Sequence, residues 1–441
     1  MIARYVLVLT LLAVGAVSAE GQRVREVPPP APSTAAPMSS VSTVVPPPVG
    51  VPVSTLTATL ITFGPGDEVW ERFGHNALWI RDERAGTDVA YNWGLFDFDQ
   101  PDFLQRFLSG DTNYWMAGED AFRMIAAYHD IGRPITLQRL NLTSAQVDSL
   151  RSFLAWNALE ENKYYRYDYF RDNCSTRLRD ALDRALGGAL RRATDTVQTA
   201  LTYRGESVRL TSGDIPVQAG IDVALGRPAD APLTEWQSFF IPMRLRDAVR
   251  DLTVPAPDGT PVSLVIDQHT IAPTSGPGVV VPTEPPSLVL RYLVLGLLLA
   301  ALVVGLRFLM VSRRGAAWGL ALLGMVWSLL GGAVGALLIY MWVATKHVFW
   351  GWNENLLLLS PLSLLLVIYL PAALLRSRVV RTARRMTFAV AGLGVVALLL
   401  ALLPGGQSTL ALVALILPVH LAFAWALTLP LPEPVIEDKQ T

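Results

Sequence analysis

"RYDYFRDNCSTRLRDAL" (166–182) begins with alternating aromatic and charged residues and then changes period at the only cysteine among 441 residues. From that point the spacing is helical: Asp172 or Asn173 can cap the first turn, Leu178, Leu182 and Ala185 form one apolar stripe, and Gly187-Gly188 ends it. Cys174 therefore stands in the first turn of a helix. Amides there lack intrahelical partners and the helix end carries partial positive charge, so the position is expected to lower a thiol's pKa and to offer N–H groups to an oxyanion. The plainer reading is a small buried hydrophobe. The polar flanks Asn173, Ser175 and Arg177 favour chemistry, as does an unpaired thiol in an exported chain.

Export is read from the N-terminus. "MIARYVLVLTLLAVGAVSAEGQ" has Arg4, a short apolar core and small residues before Glu20, the pattern of a signal peptide over 1–19 cleaved after Ala19; an uncleaved anchor is the alternative. A Pro-rich tether follows at 20–52, then a domain of globular composition at 53–253 and a second Pro-rich linker at 254–287, in which "SLVIDQHTI" can form a short strand. Residues 288–430 are dominated by Leu, Val, Ala and Gly. Five apolar runs mark candidate spans at 289–311, 317–344, 355–375, 386–403 and 409–429, followed by an acidic tail at 431–441. Arg313, Arg314 and the basic "RSRVVRTARR" (376–385) place the loops after the first and third spans inside. The domain and the loop 344–355 then share the outer side. The expected location is the inner (cytoplasmic) membrane, multi-pass, with the domain periplasmic. The net charge of −1 averages two different environments and identifies no partner.

Within the domain the pattern is α+β. Residues 53–64, 75–83 and 87–98 alternate as strands of an antiparallel meander, and Thr143 with Gln146 makes a capping box ahead of a helix with Val147, Leu150, Leu154 and Ala158 on one face. A cysteine nucleophile requires a base. Of His75, His129, His269, His347 and His420, His75 is preferred, because a strand can hold an imidazole within hydrogen-bond reach of the sulfur. Asn92 on the next strand is the first choice for the group that orients it, and Asp97 the second.

The outer loop "TKHVFWGWNENLLLL" (345–359) joins aromatic residues suited to a bilayer interface, Phe349, Trp350 and Trp352, to polar ones suited to headgroups, His347, Asn353, Glu354 and Asn355. From these, His347, Trp352, Asn353 and Asn355 are the candidate substrate-binding residues; an aromatic belt with a helix cap is the alternative. "EWQSFFIPMRLRDAV" (235–249) reads either as an interfacial helix or as an ordinary domain helix. No HExxH, CxxC, phosphate-binding glycine loop or GxSxG occurs, so neither a metal nor an organic cofactor is expected. Nor is there a basic aromatic patch suited to nucleic acid.

"GHNALWI" followed about a hundred residues later by "DNCSTRLRD" resembles the order of the permuted papain-like, NlpC/P60-like and lecithin:retinol acyltransferase-like groups. Taken with "YNWGLFDF", "FLSGDTNYWM" and "WNENLLLLSP", the chain resembles the Lnb-type bacterial lipoprotein N-acyltransferases. The resemblance implies an α+β periplasmic domain followed by an all-α bundle of five transmembrane helices. It also implies a thiol acyltransferase that moves an acyl chain from membrane phospholipid to the N-terminal amine of a diacylglyceryl-cysteine lipoprotein. Carried over, Cys174 is nucleophile and acyl carrier, His75 is base and then acid, and the first-turn amides form the oxyanion hole. The partners implied are phospholipid, a lipoprotein N-terminus and the lipid bilayer. A cysteine hydrolase, whether phospholipase or cell-wall amidase, and a non-enzymatic envelope scaffold are the other classes.

Overall fold

The computed structural model describes residues 56–97, 99–256, 258–274 and 279–430. The expected signal peptide, the 20–52 tether and the C-terminal tail lie outside them.

The first half of the chain folds around a seven-stranded sheet. Its strands are β1 (Leu56–Phe63), β2 (His75–Asp82), β3 (Thr87–Leu95), β4 (Asn113–Asp120), β5 (Ile135–Leu140), β6 (Tyr164–Arg166) and β9 (Val265–Ile271), and β7 (Thr253–Pro255) pairs separately with β8 (Pro261–Ser263). The order β6-β4-β3-β2-β1-β5-β9 is antiparallel throughout, so the expected meander is present as its β1–β4 portion. Alternation explains how one strand serves two layers. Leu56, Ala58 and Leu60 of β1 join one buried cluster, whereas Ile61 and Phe63 join another on the opposite face.

The intervening helices are α1 (Phe103–Ser109), α2 (Ala121–Asp130), α3 (Ser144–Asn157), α4 (Cys174–Ala185), α5 (Ala189–Thr194), α6 (Tyr203–Leu210), α7 (Ile215–Ala224), α8 (Glu235–Ser238) and α9 (Pro242–Asp251). The predicted stripes are the buried ones: Val147, Leu150 and Leu154 of α3 and Leu178 and Leu182 of α4 pack beneath Leu60, Leu78 and Ile80. Ala121 and Met124 of α2 cover the other face. Thr143 and Gln146 form the expected capping box. Segment 235–249 is an ordinary part of this core, interrupted before Pro242, with Trp236, Phe239, Leu245 and Val249 buried. The 254–287 linker is shorter than composition suggests, because its "VIDQHTI" completes the sheet as β9 beside β5.

Five helices follow: α10 (Val289–Leu309), α11 (Arg314–Ala344), α12 (Ser363–Arg376), α13 (Val380–Ala401) and α14 (Leu410–Ala426). Among the described residues three segments, Val289–Leu309, Gly315–Ala344 and Val380–Ala401, are long and apolar enough to cross a membrane. α12 and α14 have 14 and 17 residues, roughly 21 and 26 Å against a hydrocarbon core of about 30 Å. The third apolar run was expected to be helical from 355; instead the helix starts at Ser363, and residues 353–362 form a short 3-10 turn and loop against the domain. Small residues set the spacing of this bundle. A Cβ at Gly296 would lie 2.6 Å from the carbonyl oxygens of Ala414 and Leu415.

The two halves are joined at the loop after α11. Phe349, 1 % exposed, enters an aromatic cluster with Phe170, Tyr203 and Phe240 of the domain. Gly226 N–H donates to the Phe349 carbonyl at 2.7 Å and Lys346 N–H to Ser109 at 2.8 Å. Beneath the loop Arg204, 3 % exposed, binds Asp222, Asp230 and the carbonyl of Leu225. The domain is thus docked on the helical region by buried contacts rather than riding free on its linker. A Cβ at Gly226 would stand 2.0 Å from the Gly351 carbonyl oxygen. We expect Gly226→Ala to displace the loop and cost about 1–3 kcal/mol of stability. The checks are thermal unfolding in detergent and faster tryptic cleavage at Lys346.

Candidate active site

The site forms where the tip of α4 meets the start of β2 and a bulge in β3. Asn173 caps α4, its Oδ1 accepting from the N–H groups of Ser175 and Thr176, each at 2.9 Å. Its Nδ2 donates to the carbonyls of Tyr169 (3.0 Å) and Phe240 (2.9 Å). Ser175 Oγ donates to the Phe239 carbonyl at 2.6 Å and accepts from Asn76 Nδ2 at 3.2 Å. Asn76 is itself fully buried in β2. The helix tip is therefore bolted to the α8–α9 junction on one side and to β2 on the other. Register in β3 shifts between Trp93 and Leu95, with Gly94 at φ +91°. An L side chain would be strained there, and its Cβ would lie 3.5 Å from the Cys174 Cβ.

Cys174 is 8 % exposed. The backbone amides of Asn76, Ser175 and Cys174 itself act to favour its thiolate form. The first-turn amides expected to serve an oxyanion are only in part available. The amides of Ser175 and Thr176 are already engaged by the Asn173 cap, and a strand amide, Asn76, takes a place the helix was expected to supply. The thiol's acidity also departs from expectation. Burial pushes its pKa up to about 11, outweighing the amides and the nearby Arg133 cation. A helix N-terminus acidifies a thiol only when desolvation does not exceed its field.

His75 is the residue before Asn76 in β2, and the Arg133 cation acts on both its imidazole and the Cys174 thiol. The imidazole lies parallel to Tyr128, 6.0 Å between centroids and 3° between planes, and Tyr128 stacks on Phe63 at 3.7 Å. Ala77 is opposite Asn92, which makes His75 and Asn92 diagonal neighbours on one face. His75 Nε2 and Asn92 Oδ1 are 3.2 Å apart, and Asn92 Nδ2 donates to Glu119 Oε1 at 3.3 Å. The second bond fixes the amide's direction. With Oδ1 facing the ring, Nε2 carries the hydrogen and Nδ1 keeps the basic lone pair. Burial first, and then Arg133, lowers the His75 pKa to about 4, against a smaller opposing effect of Asn92. Asp97 is not a member of the site; its carboxylate accepts from Asp99 N–H in the loop after β3.

Sequence reading missed Asn76, Glu119, Tyr128 and Arg133. Only Asn76 carried a local signal, as the neighbour of His75.

Three of the four candidate substrate-binding residues are engaged in contacts between the loop and the domain. Asn353 and Asn355, 3 % and 2 % exposed, cannot meet headgroups. Asn353 Nδ2 donates to the carbonyls of Val223 and Ala224 at 2.9 and 3.0 Å, and its Oδ1 accepts from Asn355 N–H and Gln407 Nε2. Asn355 Nδ2 donates to Val223 at 3.0 Å. Both tie the loop to the C-terminal end of α7, whose last carbonyls lack helical partners. The ring of His347 bonds the Phe107 carbonyl through Nε2 at 3.1 Å and lies beside Tyr169. Trp352 alone is open, 70 % exposed and packed on Trp342 at 5.1 Å. Phe349, expected at the interface, is in the core.

Residues 50–204 match the family described as the Lnb N-terminal periplasmic domain. This segment is an Lnb-type periplasmic domain. The match contains His75, Asn92, Arg133 and Cys174 and ends before α7 and the helical region. No curated protein and no solved structure matches the chain. The Lnb periplasmic domain and three apolar helices fit a membrane protein with a periplasmic domain.

The histidine's environment carries a pH signature. In the folded domain His75 stays neutral down to about pH 4, whereas an unfolded histidine gains its proton near about 6.5. Between those values the unfolded state binds more protons, so stability is full above the upper value and falls as pH drops toward the lower. We expect wild type to lose on the order of 2 kcal/mol relative to His75→Gln between pH 7 and pH 4.5. Denaturant unfolding of both proteins at the two pH values measures it.

Proposed function

We propose that this protein is a membrane-bound thiol acyltransferase that transfers an acyl chain from phospholipid, through a thioester on Cys174, to the N-terminal amine of a diacylglyceryl-cysteine lipoprotein. The observation that carries this reading is a single buried sulfur at a helix tip whose anionic form the Asn76 and Cys174 amides favour, with a neutral imidazole oriented by Asn92 on the residue before Asn76. Such amides favour negative charge at the reacting centre, the requirement of acyl transfer.

Thiol and imidazole, at about 11 and about 4, are both uncharged at neutral pH. Their proton must therefore move during attack rather than before it. Cys174 Sγ adds to the ester carbonyl carbon as its proton passes to His75 Nδ1, and the tetrahedral oxygen takes the negative charge. Collapse breaks the C–O bond, His75 returns the proton to the departing lysophospholipid hydroxyl, and a thioester remains. In the second half the α-amine adds to the thioester carbonyl, His75 accepts a proton from nitrogen, and the C–S bond breaks. The products are an amide and the thiol, reprotonated by His75. Asn92 and Glu119 hold the ring through both proton transfers.

Location supports a lipid substrate over a cell-wall one, because the domain is docked on long apolar helices. In this reading the helices anchor the protein in the inner membrane with five crossings, α12 and α14 being the short ones, and the domain faces the periplasm. Exposed Trp352 beside Trp342 suits the interface.

The purified protein with phospholipid is expected to gain one acyl mass, removed by hydroxylamine and absent from Cys174→Ala, in intact-mass spectrometry. Added diacyl lipopeptide should discharge it as an N-acyl product. Free fatty acid or cleaved muropeptide without that product would establish a hydrolase, and full cellular function of Cys174→Ala would establish a scaffold. We further expect Asn92→Ala to lower kcat about 10²-fold with little change in KM, since it releases the ring without touching the substrate.

A further inference from the structure

Arg133 lies between α2 and β5 and is 4 % exposed. Its Nε donates to the Gly64 carbonyl at 2.9 Å, and its guanidinium carbon sits 4.8 Å from the centre of the Tyr128 ring. Among the described residues one carboxylate is in ion-pair range, Glu71, whose Oε1 is 3.9 Å from Nη1 and so beyond a good hydrogen bond. Nη2 has no hydrogen-bond partner. A buried guanidinium normally spends its donors and is closely neutralised, because desolvating it costs several kcal/mol. This one is neither spent nor closely paired. It belongs to one assembly with the site, since Tyr128 carries Arg133 over its ring and lies parallel to His75.

We propose that Arg133 is the fixed positive charge of this centre, a positioning residue placed to favour negative charge on the Cys174 sulfur and on the oxygen of the tetrahedral adduct. The proposal rests on Cys174 being the nucleophile. Its unspent donor and its charge are what a resting site keeps when the anion arrives only during reaction. The field of Arg133 reaches both partners, opposing the rise of the thiol's pKa and adding to the depression of the imidazole's. Among the described residues the other ionisable groups whose charge acts on it are Tyr128 on α2, Glu71 in the turn before β2 and Cys174 itself, and Tyr165 and Tyr167 ahead of α4 face the same thiol. Burial keeps the three tyrosines neutral at ordinary pH, so among the described residues Glu71 is the carboxylate that offsets the guanidinium.

The single cysteine makes a test possible without lipid substrate. Alkylation of the full-length protein by iodoacetamide reads Cys174 alone. Removing the cation in Arg133→Gln lowers the thiolate fraction, about tenfold for one pKa unit, while the more basic thiolate reacts about threefold faster, so alkylation at pH 8 should slow about threefold. Arg133→Lys should restore most of the rate. Glu71→Gln, which leaves the guanidinium in place and removes a negative charge, should accelerate alkylation. This opposite sign is one that a merely structural Arg133 would not give. Unchanged alkylation in Arg133→Gln, no recovery in Arg133→Lys, or an unchanged or slower rate in Glu71→Gln would overturn the proposal. Where Arg133→Gln fails to fold, the Lys and Glu71→Gln rates decide alone. Failure of lipopeptide acylation with these alkylation rates as expected would count against the acyltransferase reading and leave the charge assignment standing.

Discussion

The cap at Asn173 is the interaction on which the rest of the site depends. One side chain closes two amides of α4, grips the Tyr169 carbonyl behind the helix, and grips the Phe240 carbonyl at the α8–α9 junction. A helix N-terminus in the protein interior needs such satisfaction, because unpaired buried amides cost about as much as a lost hydrogen bond each. Satisfying the second and third amides with a side chain leaves the helix tip to be directed by geometry. Asn76 and the glycine bulge of β3 then set where the sulfur stands.

Burial has consequences opposite to those of a helix dipole acting alone. An exposed thiol at the same position would be acidified; here desolvation dominates and both members of the pair rest neutral. On the proposed reading, a neutral pair in a buried site suits a lipid acyl donor, which brings no charge to the sulfur until the carbonyl is attacked. The amides and Arg133 then act on a charge that exists only transiently. Their interaction with it is worth more in a low-dielectric site than it would be in water.

How far the sequence could be read follows from the range of the signals. Helix α4, its cap, its apolar stripe and the α3 capping box are encoded within one or two turns and were legible. Asn92 was legible because the strands are consecutive. Glu119 and Arg133 were not, since their proximity depends on the registers of β4 and β5 against strands far away in the chain. Asn353 and Asn355 were misread for a related reason. A polar pair ahead of an apolar run looks the same whether it serves headgroups or the carbonyls of a distant helix end, and here the partners are Asp222, Val223 and Ala224. The same docking takes residues from the apolar run that follows, so α12 is shorter than composition indicates.

That docking connects the helical region to the chemistry. Phe349 meets Phe170 edge-on at 4.8 Å, and Phe170 meets Phe240 at 5.2 Å, the residue whose carbonyl receives the Asn173 side chain. Tyr169, the other carbonyl partner of Asn173, also accepts a hydrogen bond from Trp350 at 2.9 Å. Both contacts that position the cap are therefore one residue or one ring from the outer loop. Close-packed aromatic clusters transmit displacement poorly by bending and well by shifting as units. A loop packed in this way fixes the position of Cys174 relative to the apolar helices. On the proposed acyltransferase reading, with substrate carbonyls at the edge of the hydrocarbon, that position would be part of the active site.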